Sequence, residues 1–302
     1  MAGTDEPRPV STEVAELGEG ARWDPVRGEL LWVDIPAGVL RRAVEDGDGL
    51  RTIATVRIEE PLGAVTTVAA DSGGGWLLAA GRGFRHLASD DTVTAMVDTE
   101  PPDVRMNDAA CDPQGRFWAG SMAYDQREGA ARLLRCEPDG TVRVVLPDRT
   151  IANGLGWSPD GRTLYHADTG PRVVTAYPFD PVTGELGAGD VIIRPEAGGP
   201  DGLLVDDEGA LWVALHGAGE VRRYGPDGAT LAVVRLPVSQ PTSVAIGGAS
   251  GRRLFVTTAW ESFDERQRAA QPGAGRVFAV DDVGVTAPGL HPFRGLLPRR
   301  LA

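Results

Sequence analysis

DPQGRFWAGSM, at residues 112–122, joins a tight turn to a short apolar strand. Asp, Pro and Gly suit the turn, because they preset or permit its backbone angles. The Phe and Trp that follow, among small residues, suit a buried strand. The phrase recurs along the chain. Asp24 to Gly28 precedes ELLWVDI, and Asp71 to Gly75 precedes WLLAAG. Ser158-Pro159-Asp160-Gly161 precedes RTLYHAD, Asp206 to Gly209 precedes ALWVAL, and Gly247 to Gly251 precedes RRLFVTTA. Turn starts at 24, 71, 112, 158, 206 and about 248 are 41 to 48 residues apart.

Working outward, a second strand follows each phrase, as VLRRAV, FRHLAS, RLLRCEPDG, VVTAYPFD, VRRYGPDG and RVFAVDD. A third follows several of them, such as TVRVVLP (141–147) and TLAVVRLP (230–237). With the strand that leads into the next turn, each repeat holds about four. Six repeats of this length predict an all-β chain folded as a six-bladed β-propeller with four-stranded blades. The last repeat is one strand short, so the N-terminal segment Glu13–Leu17 is expected to complete it and close the ring. Only Glu261–Ala270 reads as helical, ending at Pro272-Gly273. The chain reads as a single domain over 1–302, with a polar N-terminal tail over about 1–12 and a C-terminal tail over about 289–302. Trp32, Trp76, Trp118 and Trp212 lie in the repeated strand and are expected to fill space between blades.

Composition removes several classes of function. The 302 residues carry 30 basic and 43 acidic side chains, for a net charge of −13, and every basic residue is Arg. An acidic chain without a basic tract is a poor partner for nucleic acid phosphates. No apolar run reaches the ~18–20 residues of a membrane span, and residues 1–12 lack the features of a secretory signal. Cys111 and Cys136 form neither a disulfide framework nor a zinc spacing. A cytoplasmic protein is expected, binding neither nucleic acid nor membrane. The acidic turn Asp46-Gly47-Asp48-Gly49 is not an EF-hand loop, since position 57 is Arg. The four histidines show no metal-ligand spacing. His166 and His216 are expected at the surface or packed between blades. Nucleophile-elbow, P-loop and dinucleotide motifs are absent.

Five residues before each turn start stand Glu19, Thr66, Asn107, Asn153, Asp201 and Ser243, all polar. In a propeller, equivalent positions lie at equivalent radii, so these side chains should converge at one end of the central channel. Glu19, Asn153 and Asp201 supply two carboxylates and an amide oxygen, with Asn107 as a possible fourth donor. That set suits a hard divalent cation such as Ca²⁺, Mg²⁺ or Mn²⁺. The adjacent Gly18, Gly20, Gly154 and Gly202 would allow tight backbone geometry near the axis.

Several segments together resemble the SMP-30/gluconolactonase/luciferin-regenerating-enzyme family, which includes regucalcin. They are LGEG (17–20), LLWVDIPAG (30–38), RMNDAACDPQGRFWAGSMA (105–123) and NGLGWSPDG (153–161). PDGLLVDDEGALWVA (200–214), LPVSQPTSVAIGG (236–248) and QPGAGRVF (271–278) continue the match in order. The resemblance implies a six-bladed propeller with one divalent cation in the channel, Ca²⁺ first, with Zn²⁺, Mn²⁺ or Mg²⁺ as alternatives. It implies Glu19, Asn153 and Asp201 as metal ligands. It also implies that Arg105, Asn107 and Asp125 contact a sugar substrate. Ala21 and Ala109 depart from the family's usual Pro and Gly, and Asp125 stands where relatives can carry Glu. The implied reaction is metal-dependent hydrolysis of a sugar lactone to the aldonic acid. Asp201 would be the base for the attacking water, or a hydroxide activated by the cation would attack instead. A phosphotriesterase-like hydrolase and a non-enzymatic calcium-binding regulatory protein are the alternatives.

Overall fold

Each repeated phrase forms the second strand of a four-stranded antiparallel sheet, and six such sheets surround one axis. The computed structural model describes residues 6–295 and 297. The innermost strands are Gly18–Asp24, Leu62–Thr67, Val104–Cys111, Ala152–Trp157, Gly199–Val205 and Pro241–Gly247, which head blades 1 to 6 in that order.

The turn residue explains why the phrase repeats. In blade 3, Asp112 accepts the backbone N–H groups of Gln114 and Arg116, each at 3.0 Å. Its other oxygen takes the indole N–H of Trp118 at 3.0 Å and the Arg116 guanidinium at 2.5 Å. Asp206 does the same in blade 5, accepting from Glu208 N and Ala210 N at 3.0 Å and from Trp212 Nε1 at 2.9 Å. One buried carboxylate thus closes the turn and orients the large side chain six residues on. Trp32, Trp76, Trp118 and Trp212 are all buried between blades, as expected. Arginines cover three of them: the guanidiniums of Arg42, Arg135 and Arg223 lie 4.9, 5.1 and 6.0 Å from the rings of Trp76, Trp118 and Trp212. Such contacts stabilise by roughly 0.5–2 kcal/mol each.

Ring closure differs from the expectation in detail. The fourth strand of blade 6 is Arg8–Pro9, which pairs with Phe278–Val280. Glu13–Leu17 is not that strand; within it Leu17 makes a single bridge to Ala259. A proline is tolerated on an outer edge because its missing N–H would have faced outward. The N-terminal tail is therefore part of the propeller from Arg8 onward. The helix spans Glu265–Ala270, opened by a capping box between Asp264 and Gln267, inside the expected segment.

The C-terminal segment is no tail either. Asp207 N donates to Thr286 O, Leu290 N to Trp23 O, Phe293 N to Thr67 O and Arg294 N to Gly115 O, all at 2.8–2.9 Å. Residues 286–294 thus form a strap across one mouth of the channel, from blade 5 past blades 1 and 2 to blade 3. Phe293 is fully buried against blades 2 and 3. Pairing it to a strand edge and burying its ring outweighs the lack of any repeat pattern in this segment.

Candidate metal centre

All six innermost strands lose register with their neighbours near the same end of the channel. The shifts fall between Glu19 and Arg22, Leu62 and Ala64, and Met106 and Ala109. They recur between Ala152 and Leu155, Pro200 and Leu203, and Pro241 and Ser243. A bulge leaves residues out of the ladder and re-aims their side chains. Asn107 and Asp108, Asn153, and Asp201 lie within these irregularities, and Glu19 opens the one in blade 1. The repeat places them there, and the bulge turns them toward the axis.

Two members of the expected ring lie elsewhere. The blade 2 turn is long, running from Val68 to Gly75 around a short 3₁₀ turn at Ala70–Ser72. Counting back from Asp71 therefore misses the bulge, which holds Gly63. Thr66 sits toward the other mouth, where its hydroxyl donates to His291 O at 2.9 Å. In blade 6 the bulged residue is Thr242, whose hydroxyl donates to Gly18 O. Ser243 follows it, and its Oγ accepts the Ala21 N–H at 3.2 Å.

Glycines let these strands approach. Gly20 has φ +59°, a left-handed conformation that other residues resist. At Gly154 a Cβ would stand 2.5 Å from Asp201 O and 2.6 Å from Leu203 N.

Glu19, Asn153 and Asp201 are all buried, at 4–5 % exposure. Glu19 and Asp201 are close enough to shift each other's titration, and Asn153 neighbours Asp201. Thr169 orients Asn153 by accepting its Nδ2–H at 3.0 Å. This leaves Asn153 Oδ1 without a partner, and Asp201 Oδ1 is likewise buried and unpartnered. Burial, then the nearby Asp108 charge, push the Glu19 carboxyl up to about 8. Burial and the Glu19 charge push Asp201 well above the carboxylate range. Two carboxylates so placed do not both ionise unless a positive charge joins them. The donor set therefore fits a small cation: two carboxylates and an amide oxygen, all hard, with two orphaned acceptors. Among the described residues no three His, Cys, Asp or Glu side chains cluster closely enough to chelate an ion alone. A cation here would thus need the amide of Asn153 as well.

Arg105 lies beside this group. It is buried, and its Nη1 donates to Met106 O at 2.9 Å and to Asn107 Oδ1 at 2.8 Å. Asn107 Nδ2 donates to Ala152 O at 3.1 Å. With its amide oxygen on Arg105, Asn107 acts here to hold the guanidinium rather than as a fourth metal donor. Burial pushes the Arg105 pKa down, opposed by the charges of Glu261, Tyr124, Glu19 and Asp201. Asp125 is exposed and tied at 2.9 Å to Arg127, which also binds Asp103. The structure thus brings Arg105 and Asn107 beside Glu19 and Asp201 and leaves Asp125 on the surface.

Three neighbours escaped sequence reasoning. Asp108 is buried below the ring, with Oδ1 on Arg22 Nη2 at 3.0 Å and Oδ2 unpartnered. Only its place beside Asn107 could have flagged it. Tyr124 and Glu261 influence Arg105 and carry no repeat signal. His166 is packed between blades as expected, and burial pushes it down to about 4, so it stays neutral.

The model of the SMP-30/Gluconolactonase/LRE-like region matches residues 17–260. The chain belongs to this family. Regucalcin of Xenopus laevis is 33% identical over 297 residues, covering 95% of this chain and 97% of the relative. The 6-deoxy-6-sulfogluconolactonase of Pseudomonas putida is 33% identical over 277 residues, covering 90% and 93%. Among solved structures, a regucalcin of Agrobacterium tumefaciens, described as a calcium-binding protein, is 29% identical with a TM-score of 0.88. It covers 95% of this chain and 97% of its own. SMP-30/gluconolactonase relatives thus include both sugar lactonases and regucalcins, and the six-bladed propeller is shared.

Proposed function

We propose that this protein is a metal-dependent lactonase that opens a sugar lactone to its aldonic acid. The observation that carries the reading is the pair of orphaned oxygens on Asn153 and Asp201, beside Glu19 and next to the buried guanidinium of Arg105. Glu19, Asn153 and Asp201 would hold one divalent cation. Ca²⁺ is the first choice, because all donors are oxygen; Zn²⁺, Mn²⁺ and Mg²⁺ are the alternatives. When bound, the cation would polarise the lactone carbonyl and offset charge developing on its oxygen.

This chain's residues supply the rest. Asp201 accepts a proton from the water that attacks the carbonyl carbon. It returns that proton to the ring oxygen as the acyl C–O bond breaks. Arg105 presents a planar donor fork to the sugar hydroxyls, and Asn107 holds that fork in place. Asp125 would join them after releasing Arg127. The reading includes a cytoplasmic location; among the described residues no helix is long and apolar enough to cross a membrane.

A second reading has support in the Agrobacterium relative, described as calcium-binding: a regulatory protein in which the cation is bound without turnover. Proton release from several aldonolactones, followed by a pH indicator with Ca²⁺, Mn²⁺, Mg²⁺ and Zn²⁺ added in turn to chelated protein, decides between them. Turnover with any one metal supports the lactonase. Tight Ca²⁺ binding with no turnover on the whole panel supports the regulatory reading.

A further inference from the structure

The opposite end of the channel is built for something else. Below the Arg22–Asp108 pair lies a cavity of about 290 Å³, roofed by the inner strands and floored by the C-terminal strap. Its walls include Trp23, Leu155, Trp157, Leu203, Ile246 and Leu290. Charged groups on its border are already engaged. Arg22 binds Asp108 and the Ala109 and Ala21 carbonyls, at 2.8–3.0 Å. Asp206 is taken up by its turn, Trp212 and Arg223. Asp207 pairs with the hydroxyl of Thr286. Burial keeps the Cys111 thiol and the His291 imidazole in their neutral forms.

We infer that this cavity is a binding site for a neutral, largely apolar small molecule of about two rings. Size sets the upper limit. A cavity of about 150 Å³ holds benzene, and drug-sized sites begin near 300 Å³. The walls set the polarity. Water needs two to four polar partners to be held in place, and the polar side chains here, Arg22, Thr66, Asp206 and Asp207, are already bonded within the protein. A charged ligand would be desolvated against Arg22 and Asp206, whose charges are already paired. The site shares no residue with the cation group, so it stands independently of the lactonase reading.

The test uses prodan, a neutral naphthyl ketone whose emission shifts to the blue in apolar surroundings. The full chain should bind it at one site, with a blue shift and 1:1 stoichiometry by calorimetry. Ala110→Phe and Leu204→Trp, which project bulk into the cavity from blades 3 and 5, should each weaken binding by tenfold or more. Glu19→Gln, at the other end of the channel, should leave it unchanged. Leu290→Trp fills the same space from the strap, so the test does not depend on one blade tolerating the change. No saturable binding to wild type overturns the inference. So does binding that survives in every folded filling variant, or binding lost equally in Glu19→Gln.

Discussion

At the scale of single residues, the centre is defined by who is left without a partner. Asn153 spends its amide N–H on Thr169 and keeps its oxygen free. Arg105 is the reverse case, a buried cation whose two bonds go to Met106 O and Asn107 Oδ1. Arg105→Ala is expected to raise KM while metal affinity stays the same, because the guanidinium grips substrate in ground and transition states alike. Calorimetric Ca²⁺ titration beside steady-state kinetics separates the two effects. Loss of metal in this variant would give Arg105 a structural role.

The same residues set a pH dependence. Burial and the Asp108 charge push the Glu19 carboxyl up to about 8 in the folded, metal-free protein, against 4.5 for an ordinary glutamate, and Asp201 is shifted the same way. Between these values the folded state binds more protons than the unfolded state. Stability must then fall as pH rises through that window. Chelated protein should melt at progressively lower temperature from about pH 5 to pH 8. Saturating Ca²⁺ should remove the decline, since the cation replaces the proton. A flat melting profile in chelator would mean that the two carboxyls are not thrust together.

At the scale of elements, the turn aspartates and the bulges do different work. Asp206 closes a turn, orients Trp212 and pairs with Arg223, while fully buried. Breaking a buried pair of this kind costs about 3–5 kcal/mol, so Asp206→Ala should lower stability by that order in denaturant unfolding. Lactone turnover in the surviving folded fraction should change little, since the turn lies at the far end of its strand. Gly154→Ala strikes the bulge instead. Its Cβ would press on Asp201 O and Leu203 N, and overpacking costs about 1–3 kcal/mol. We expect weaker Ca²⁺ binding as well, because the displaced strand carries Asp201. Full affinity in this variant would show that the close approach does not position the ligand.

At the scale of the whole molecule, much was readable from the chain, and the exceptions have causes. Six turn-strand phrases stand for six blades because every blade needs the same turn and the same buried strand. Glu19, Asn107, Asn153 and Asp201 could be found by counting back from the turn, since four blades share one spacing there. Thr66 was misplaced because blade 2 lengthens its turn with a 3₁₀ segment, which breaks the count. The closing strand was placed too late because Arg8–Pro9 is only two residues long and shows no alternation. The strap over residues 286–294 has no counterpart in any repeat. The bulges themselves leave no pattern in composition, so Asp108 passed unnoticed beside Asn107.

The most direct test of the central claim measures bound metal and lactone turnover on the same samples of wild type, Glu19→Gln and Asp201→Asn. Both variants remove one negative charge from the centre, and only Asp201→Asn also removes the proton acceptor beside the water. General base catalysis contributes about 10²–10⁴-fold. At metal saturation, Asp201→Asn should therefore lose at least 10²-fold in kcat, and Glu19→Gln far less. Equal and modest losses in the two metal-filled variants, or turnover by wild type that survives complete chelation, would contradict the account.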